Sequence, residues 1–126
     1  MTLTDILEEL RAFVRERDWE QYHDPKNLAT GLSIEAAELL ELFLWTRTSD
    51  AHSHGMSVKS RVEEEVADVF LYCLMLADSL DIDILDATHR KLRKNGEKYP
   101  VELSKGRSDK YDRLQAETID GSDAKD

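Results

Sequence analysis

The sequence predicts an all-α protein, a four-helix bundle-like domain followed by a flexible C-terminal tail. Three observations lead there. Apolar residues recur at helical spacing in four stretches joined by short polar links. Start and stop residues bracket most of those stretches. The two central stretches are apolar around most of their circumference, so each must be covered on more than one side.

Taken in order, Leu3, Ile6, Leu7, Leu10, Phe13 and Val14 share one face of a first helix over residues 3–17, with Glu8, Glu9, Arg11, Arg15 and Glu16 pointing elsewhere. The period is lost after Asp18. Asp24-Pro25 then supplies a capping carboxylate and the residue best tolerated at the first helical position, which starts a second helix running to about Thr46. A loop over residues 48–56 carries Ser49, Asp50, Ser53 and Gly55, and a third helix runs from Ser57 or Val58 to Ser79. Asp81 and Asp83 open a fourth helix, closed by Asn95-Gly96 with Pro100 beyond. Residues 1–100 form the predicted domain. Residues 101–126 read as a polar tail with a marginal helix around residues 112–117.

The chain of 126 residues has the length of one domain. A net charge of −10 opposes unaided binding of nucleic acid, because a phosphate-tracking protein presents a positive surface. Any phosphate ligand therefore needs a bound cation or a local basic patch. The longest uncharged apolar stretch, residues 69–77, is far shorter than the roughly 20 residues of a membrane-spanning helix. Charges at Asp5, Glu8 and Glu9 interrupt any secretory pattern. A single cysteine, Cys73, reads as a buried, reduced thiol. These features predict a soluble, cytoplasmic protein.

The informative residues are acids in apolar helices. Glu35 and Glu38 lie three apart on one face of the second helix, with Trp45 continuing that line, and Glu65 and Asp68 repeat the spacing in the third. Desolvating an unpaired carboxylate costs several kcal/mol or more, and clustered acids raise one another's pKa. No lysine or arginine lies between Leu28 and Trp45 or between Val62 and His89 to neutralise them. A hard divalent cation held through oxygen is the simpler compensation, and magnesium suits a few carboxylates with positions left for water and phosphate. Glu63 and Glu64 are expected to face water. Glu41 is ambiguous: metal ligand, water-positioning base or supporting group.

The run Glu35-x-x-Glu38, 26 intervening residues and Glu65-x-x-Asp68 resembles the metal-binding signature of the MazG-like all-α nucleoside triphosphate pyrophosphatases. The neighbouring text extends the likeness: His23-Asp-Pro25-Lys-Asn27-Leu28, Glu38-Leu-Leu-Glu41-Leu-Phe-Leu-Trp45, Glu64-Glu65-Val-Ala-Asp68-Val-Phe-Leu-Tyr72 and Lys91-x-x-x-Asn95-x-x-x-Tyr99-Pro100. It is similar to the dCTP pyrophosphatase branch over roughly residues 3–100. The resemblance implies a MazG-type fold and hydrolysis of a nucleoside triphosphate, with dCTP or a modified dCTP as candidate, to monophosphate and pyrophosphate. That activity would serve nucleotide pool control or house-cleaning. It assigns the metal, magnesium with manganese as substitute, to Glu35, Glu38, Glu65 and Asp68, and the base to Trp19, Trp45 and Tyr72. Phosphate and sugar contacts fall to Lys91, Asn95 and Tyr99. Ile34 stands where some relatives carry a further acid, which leaves the number of metal ions open.

Glu38 or Glu41 could accept the proton of an attacking water. His23 is a candidate for ordering the substrate loop, His52 and His54 fall in the predicted loop and should be exposed, and His89 continues an apolar line as a core-edge residue. Arg90, Lys91, Arg93, Lys94 and Lys98 suit either phosphate or the negative end of the fourth helix. A di-iron carboxylate bundle is a competing reading, since Glu20-x-x-His23 and Asp86-x-x-His89 imitate its ligand pairs. A non-catalytic helical adaptor is another. In every case the apolar surface of the central helices predicts a homodimer or homotetramer.

Overall fold

In a computed structural model, described over residues 1–108 and 113, the chain is helical with no strand among the described residues. Helix α1 spans Leu3–Glu16, α2 Pro25–Glu41, α3 Ala51–Ser57, α4 Lys59–Ser79, α5 Ile84–Lys98 and α6 Val101–Ser104. Met1–Asp83 form one compact unit, and a second begins at Ile84.

In the first unit, α1 starts with a capping box. Thr2 Oγ1 accepts from the Asp5 backbone N–H at 3.1 Å, and the Asp5 carboxylate accepts from the Thr2 N–H at 2.6 Å. The Thr2 N–H and hydroxyl, both donating to it, hold the Asp5 carboxyl below its ordinary range. Asp18, at φ 54°, turns the chain into a short 3-10 segment, Glu20–Tyr22. Asp24 then caps α2 through the Asn27 N–H at 2.9 Å, with Pro25 at the first turn. That start agrees with the sequence reading.

Its end does not. Helix α2 stops at Glu41 rather than near Thr46. Phe43 N–H turns back to the Leu40 carbonyl at 2.9 Å and Thr46 N–H to that of Phe43 at 2.9 Å, a tighter, three-residue winding. The Leu42 carbonyl is taken by His54, whose ring Nε2 lies 2.8 Å away and so carries the proton. His54 also meets Phe43 edge-on, with centroids 5.9 Å apart. The predicted loop thus contains a 3-10 turn, Thr48–Asp50, and α3. His54 is half-buried instead of exposed, whereas His52 is exposed as expected.

Helices α2 and α4 run antiparallel along a shared seam, since Leu28 lines the same cavity as Met75 and Gly31 meets Tyr72. The core is small: Leu10 and Val14 of α1, Leu28 of α2, and Leu74 and Ala77 of α4. Cys73 beside it is only half-buried. Large apolar side chains on the outer faces of α2 and α4, among them Ile34, Leu40, Val66 and Phe70, are exposed.

Arg11 of α1 is tied to Asp78 of α4 by a forked ion pair, its Nε donating to Oδ2 at 3.0 Å and Oδ1 at 3.2 Å while Nη2 donates to Oδ1. The guanidinium holds the Asp78 carboxyl below the usual carboxylate range. A depressed folded pKa contributes stability that is present above the unfolded value and lost as pH falls through the folded one. With side chains 48% and 31% exposed, the pair is worth about 1 kcal/mol or less. Asp78→Asn should therefore lower the melting temperature by a few degrees at pH 7, and the difference from the parent should vanish in strong acid, as thermal scans from neutral to acid pH would reveal.

In the second unit, α5 runs past the predicted stop at Asn95-Gly96, the Tyr99 N–H still bonding the Asn95 carbonyl at 2.8 Å. Pro100, which has no N–H to donate, ends it. His89 is exposed rather than at a core edge. The start of the expected tail forms α6, and the marginal helix around residues 112–117 lies outside the described residues except at position 113.

Candidate metal centre and nucleotide site

Carboxylate oxygens of Glu35 and Glu38 from α2 and of Glu65 from α4 lie within 4.8 Å of one another. The i, i+3 spacing places the first two on one face, and the antiparallel seam brings the third opposite. Glu35 Oε2 and Glu65 Oε2 are shielded from solvent and have no hydrogen-bond partner. Burial, then the neighbouring Glu38 carboxyl, then Asp68 and Glu65 push the Glu35 carboxyl above its ordinary range. Burial, with Glu38 and Asp68 next, does the same to Glu65. Among the described residues no lysine or arginine pairs with these acids.

Clustered anionic oxygens with shielded, unpartnered lone pairs are what a hard divalent cation fits, and a soft or imidazole-preferring metal has neither sulfur nor histidine in this group. Asp68 is exposed and stands outside the triplet, adding its charge from nearby. Glu41 sits at the exposed end of α2, beyond the cluster, and Glu63 and Glu64 face solvent.

Tyr72 follows Asp68 by one turn and Gly31 precedes Glu35 by one turn, and there the helices touch. A Cβ on Gly31 would stand 2.2 Å from Tyr72 Cε1 and 2.7 Å from Cζ. Only glycine leaves room for that ring, a requirement that single-helix periodicity does not reveal. Gly31→Ala gains about 1 kcal/mol of helix propensity but forces the Tyr72 ring off α2, and overpacking typically costs about 1–3 kcal/mol. The expected result is net destabilisation with a displaced Tyr72, read as a lower melting temperature and a shifted tyrosine ring resonance.

Trp19 meets Phe13 edge-on at 5.7 Å and tilts toward His23 at 6.2 Å, so these two predicted substrate residues are neighbours. His23 lines a cavity of about 350 Å³ with Leu10, Val14, Leu28, Met75, Arg11 and Asp78. Trp45 departs from its expected line: α2 has already ended, and its side chain is 92% exposed. Lys91, Asn95 and Tyr99 belong to the second unit, the first two one turn apart on α5 and Tyr99 just past its end. Of the imitation di-iron pairs, Glu20 opens the 3-10 segment and His23 follows it, and Asp86 pairs with Arg90 on α5.

The helices and their acids define an all-α protein with a carboxylate centre on an antiparallel helix pair. A profile described as the MazG-like family matches residues 31–114, and the chain belongs to that family. It is 38% identical to dCTP pyrophosphatase 1 of Mus musculus over 125 residues, covering 98% of this chain and 74% of that one. It is also 38% identical to dCTP pyrophosphatase 1 of Homo sapiens over 115 residues, covering 90% and 68%. A crystal structure of a pyrophosphatase from Archaeoglobus fulgidus superposes with a TM-score of 0.75 at 48% identity, over 78% of this chain and 92% of that one.

Proposed function

We infer that this protein is a nucleoside triphosphate pyrophosphohydrolase that uses magnesium to split dCTP, or a modified dCTP, into the monophosphate and pyrophosphate. The observation that carries the reading is the carboxylate triplet with two shielded, unpartnered oxygens, in a chain whose relatives are named dCTP pyrophosphatase 1. Glu35, Glu38, Glu65 and Asp68 are the residues to hold magnesium, or manganese in its place. When bound, the ion supplies positive charge against the triphosphate, which a chain of net charge −10 would otherwise repel.

Glu38 is the better candidate to accept the proton of the attacking water, because it belongs to the triplet yet stays exposed, whereas Glu41 lies beyond it. Trp19 and Tyr72 supply aromatic surface for the base, Trp45 adds an exposed indole, and His23, beside Trp19, serves to order the substrate loop. Lys91, Asn95 and Tyr99 are assigned to phosphate and sugar. The exposed apolar faces of α2 and α4 suit self-association as a homodimer or homotetramer in the cytoplasm.

The test is incubation of the protein and magnesium with a panel of canonical and modified triphosphates, measuring pyrophosphate separately from orthophosphate. Pyrophosphate with monophosphate is expected, and diphosphate with orthophosphate would replace this reaction class by another. Light scattering decides the assembly: a stable monomer would remove it.

A further inference from the structure

Helix α2 ends in a stretch that holds no helix breaker. Leu42, Phe43, Leu44 and Trp45 include neither glycine nor proline, and Thr46 is the first polar residue after Glu41. Another α-helical turn requires the Thr46 N–H to bond the Leu42 carbonyl, four positions back. That carbonyl accepts from His54 Nε2 at 2.8 Å, and the Thr46 N–H goes to the Phe43 carbonyl at 2.9 Å instead. His54 thus takes the acceptor on which the next turn depends.

The histidine is well anchored for this. Its own carbonyl accepts from the Ser57 hydroxyl at 2.6 Å and from the Val58 N–H at 3.2 Å, which ties it to the end of α3. Its ring meets Phe43 edge-on at 5.9 Å. The neighbouring Gly55 lets α3 sit close, since a Cβ there would stand 3.2 Å from Phe43 Cε1. From this seat the half-buried side chain reaches a carbonyl twelve residues back along the chain.

Trp45 is the residue whose direction this contact decides. On a continuous α2 it would stand seven positions after Glu38, two turns on, along the line of the acids. Where α2 is unwound it leaves that line, and its side chain is 92% exposed. We propose that His54 is a positioning residue for nucleotide binding: by holding the Leu42 carbonyl it keeps the end of α2 unwound and sets the stance of the indole that meets the base. The proposal rests on the reading that Trp45 contacts the base. It adds a residue that acts only through the backbone between the two.

Equilibrium binding of dCMP to the full chain with magnesium tests this without turnover. Trp45→Ala should weaken binding about tenfold, the measure of one base–aromatic stack. His54→Phe keeps a ring against Phe43 but donates nothing; it should cost about as much in the parent and hardly anything in Trp45→Ala. His54→Gln, whose amide N–H can reach the Leu42 carbonyl, should recover most of the parent affinity. A histidine that only supports the fold predicts equal losses with and without Trp45. Tryptophan emission in a Trp19→Phe background, where Trp45 is the sole indole, supplies a second measurement on the free protein. Adding His54→Phe there should shift the emission and slow acrylamide quenching as the indole turns back toward the acid face. Equal losses in both backgrounds, parental affinity of His54→Phe, no rescue by His54→Gln, or unchanged emission overturns the proposal. Parental binding by Trp45→Ala overturns it as well, through the base assignment of Trp45, while pyrophosphate release by the parent protein tests the enzymatic reading separately.

Discussion

Glu38→Gln should lower pyrophosphate release by about three orders of magnitude while the protein stays folded. Glutamine keeps the volume of the side chain but removes both a negative oxygen of the triplet and the base closest to it. Loss of a positioned general base alone costs about 10²–10⁴-fold, and weakened cation binding adds to it. The same change relieves repulsion, since the Glu38 carboxyl helps to push Glu35 and Glu65 upward. Helical circular dichroism should be intact and the metal-free melting temperature unchanged or higher. Parental turnover in this variant would remove the carboxylate centre from the mechanism.

Magnesium should stabilise the protein strongly, and through these acids. Without a cation, folding brings Glu35, Glu38 and Glu65 together and shields two of their oxygens, an arrangement that opposes the folded state. A ligand that binds only the folded chain stabilises it by about 2.7 kcal/mol at a hundred times its dissociation constant, which for a domain of this size corresponds to a rise on the order of 10 °C. Excess chelator should reverse the rise. Glu65→Gln should melt no lower than the parent in chelator yet gain little from magnesium. An equal magnesium response in both proteins would place the cation elsewhere.

Much of this arrangement was legible beforehand because it is local. The N-terminal cap of α2 follows from Asp24-Pro25, α1 and α4 from apolar spacing, and the pairing of Glu35 with Glu38 and of Glu65 with Asp68 from the helical repeat. Two local signals misled. Asn95-Gly96 failed to stop α5, because the backbone ladder carries on until the Tyr99 N–H bonds the Asn95 carbonyl, and Pro100 comes next. The apolar run through Trp45 promised a longer α2, but His54, twelve residues distant, takes the Leu42 carbonyl.

By itself the sequence determined the helical class, the faces that carry the acids and the family signature, since each depends on contacts within one helix of known period. Only the tertiary structure decided that Glu65 joins Glu35 and Glu38 while Asp68 stands aside, that Tyr72 lies on the bare backbone of Gly31, and that Arg11 meets Asp78 sixty-seven positions away. Those outcomes depend on the crossing and register of two separate helices. Periodicity along either one carries no information about the offset between them.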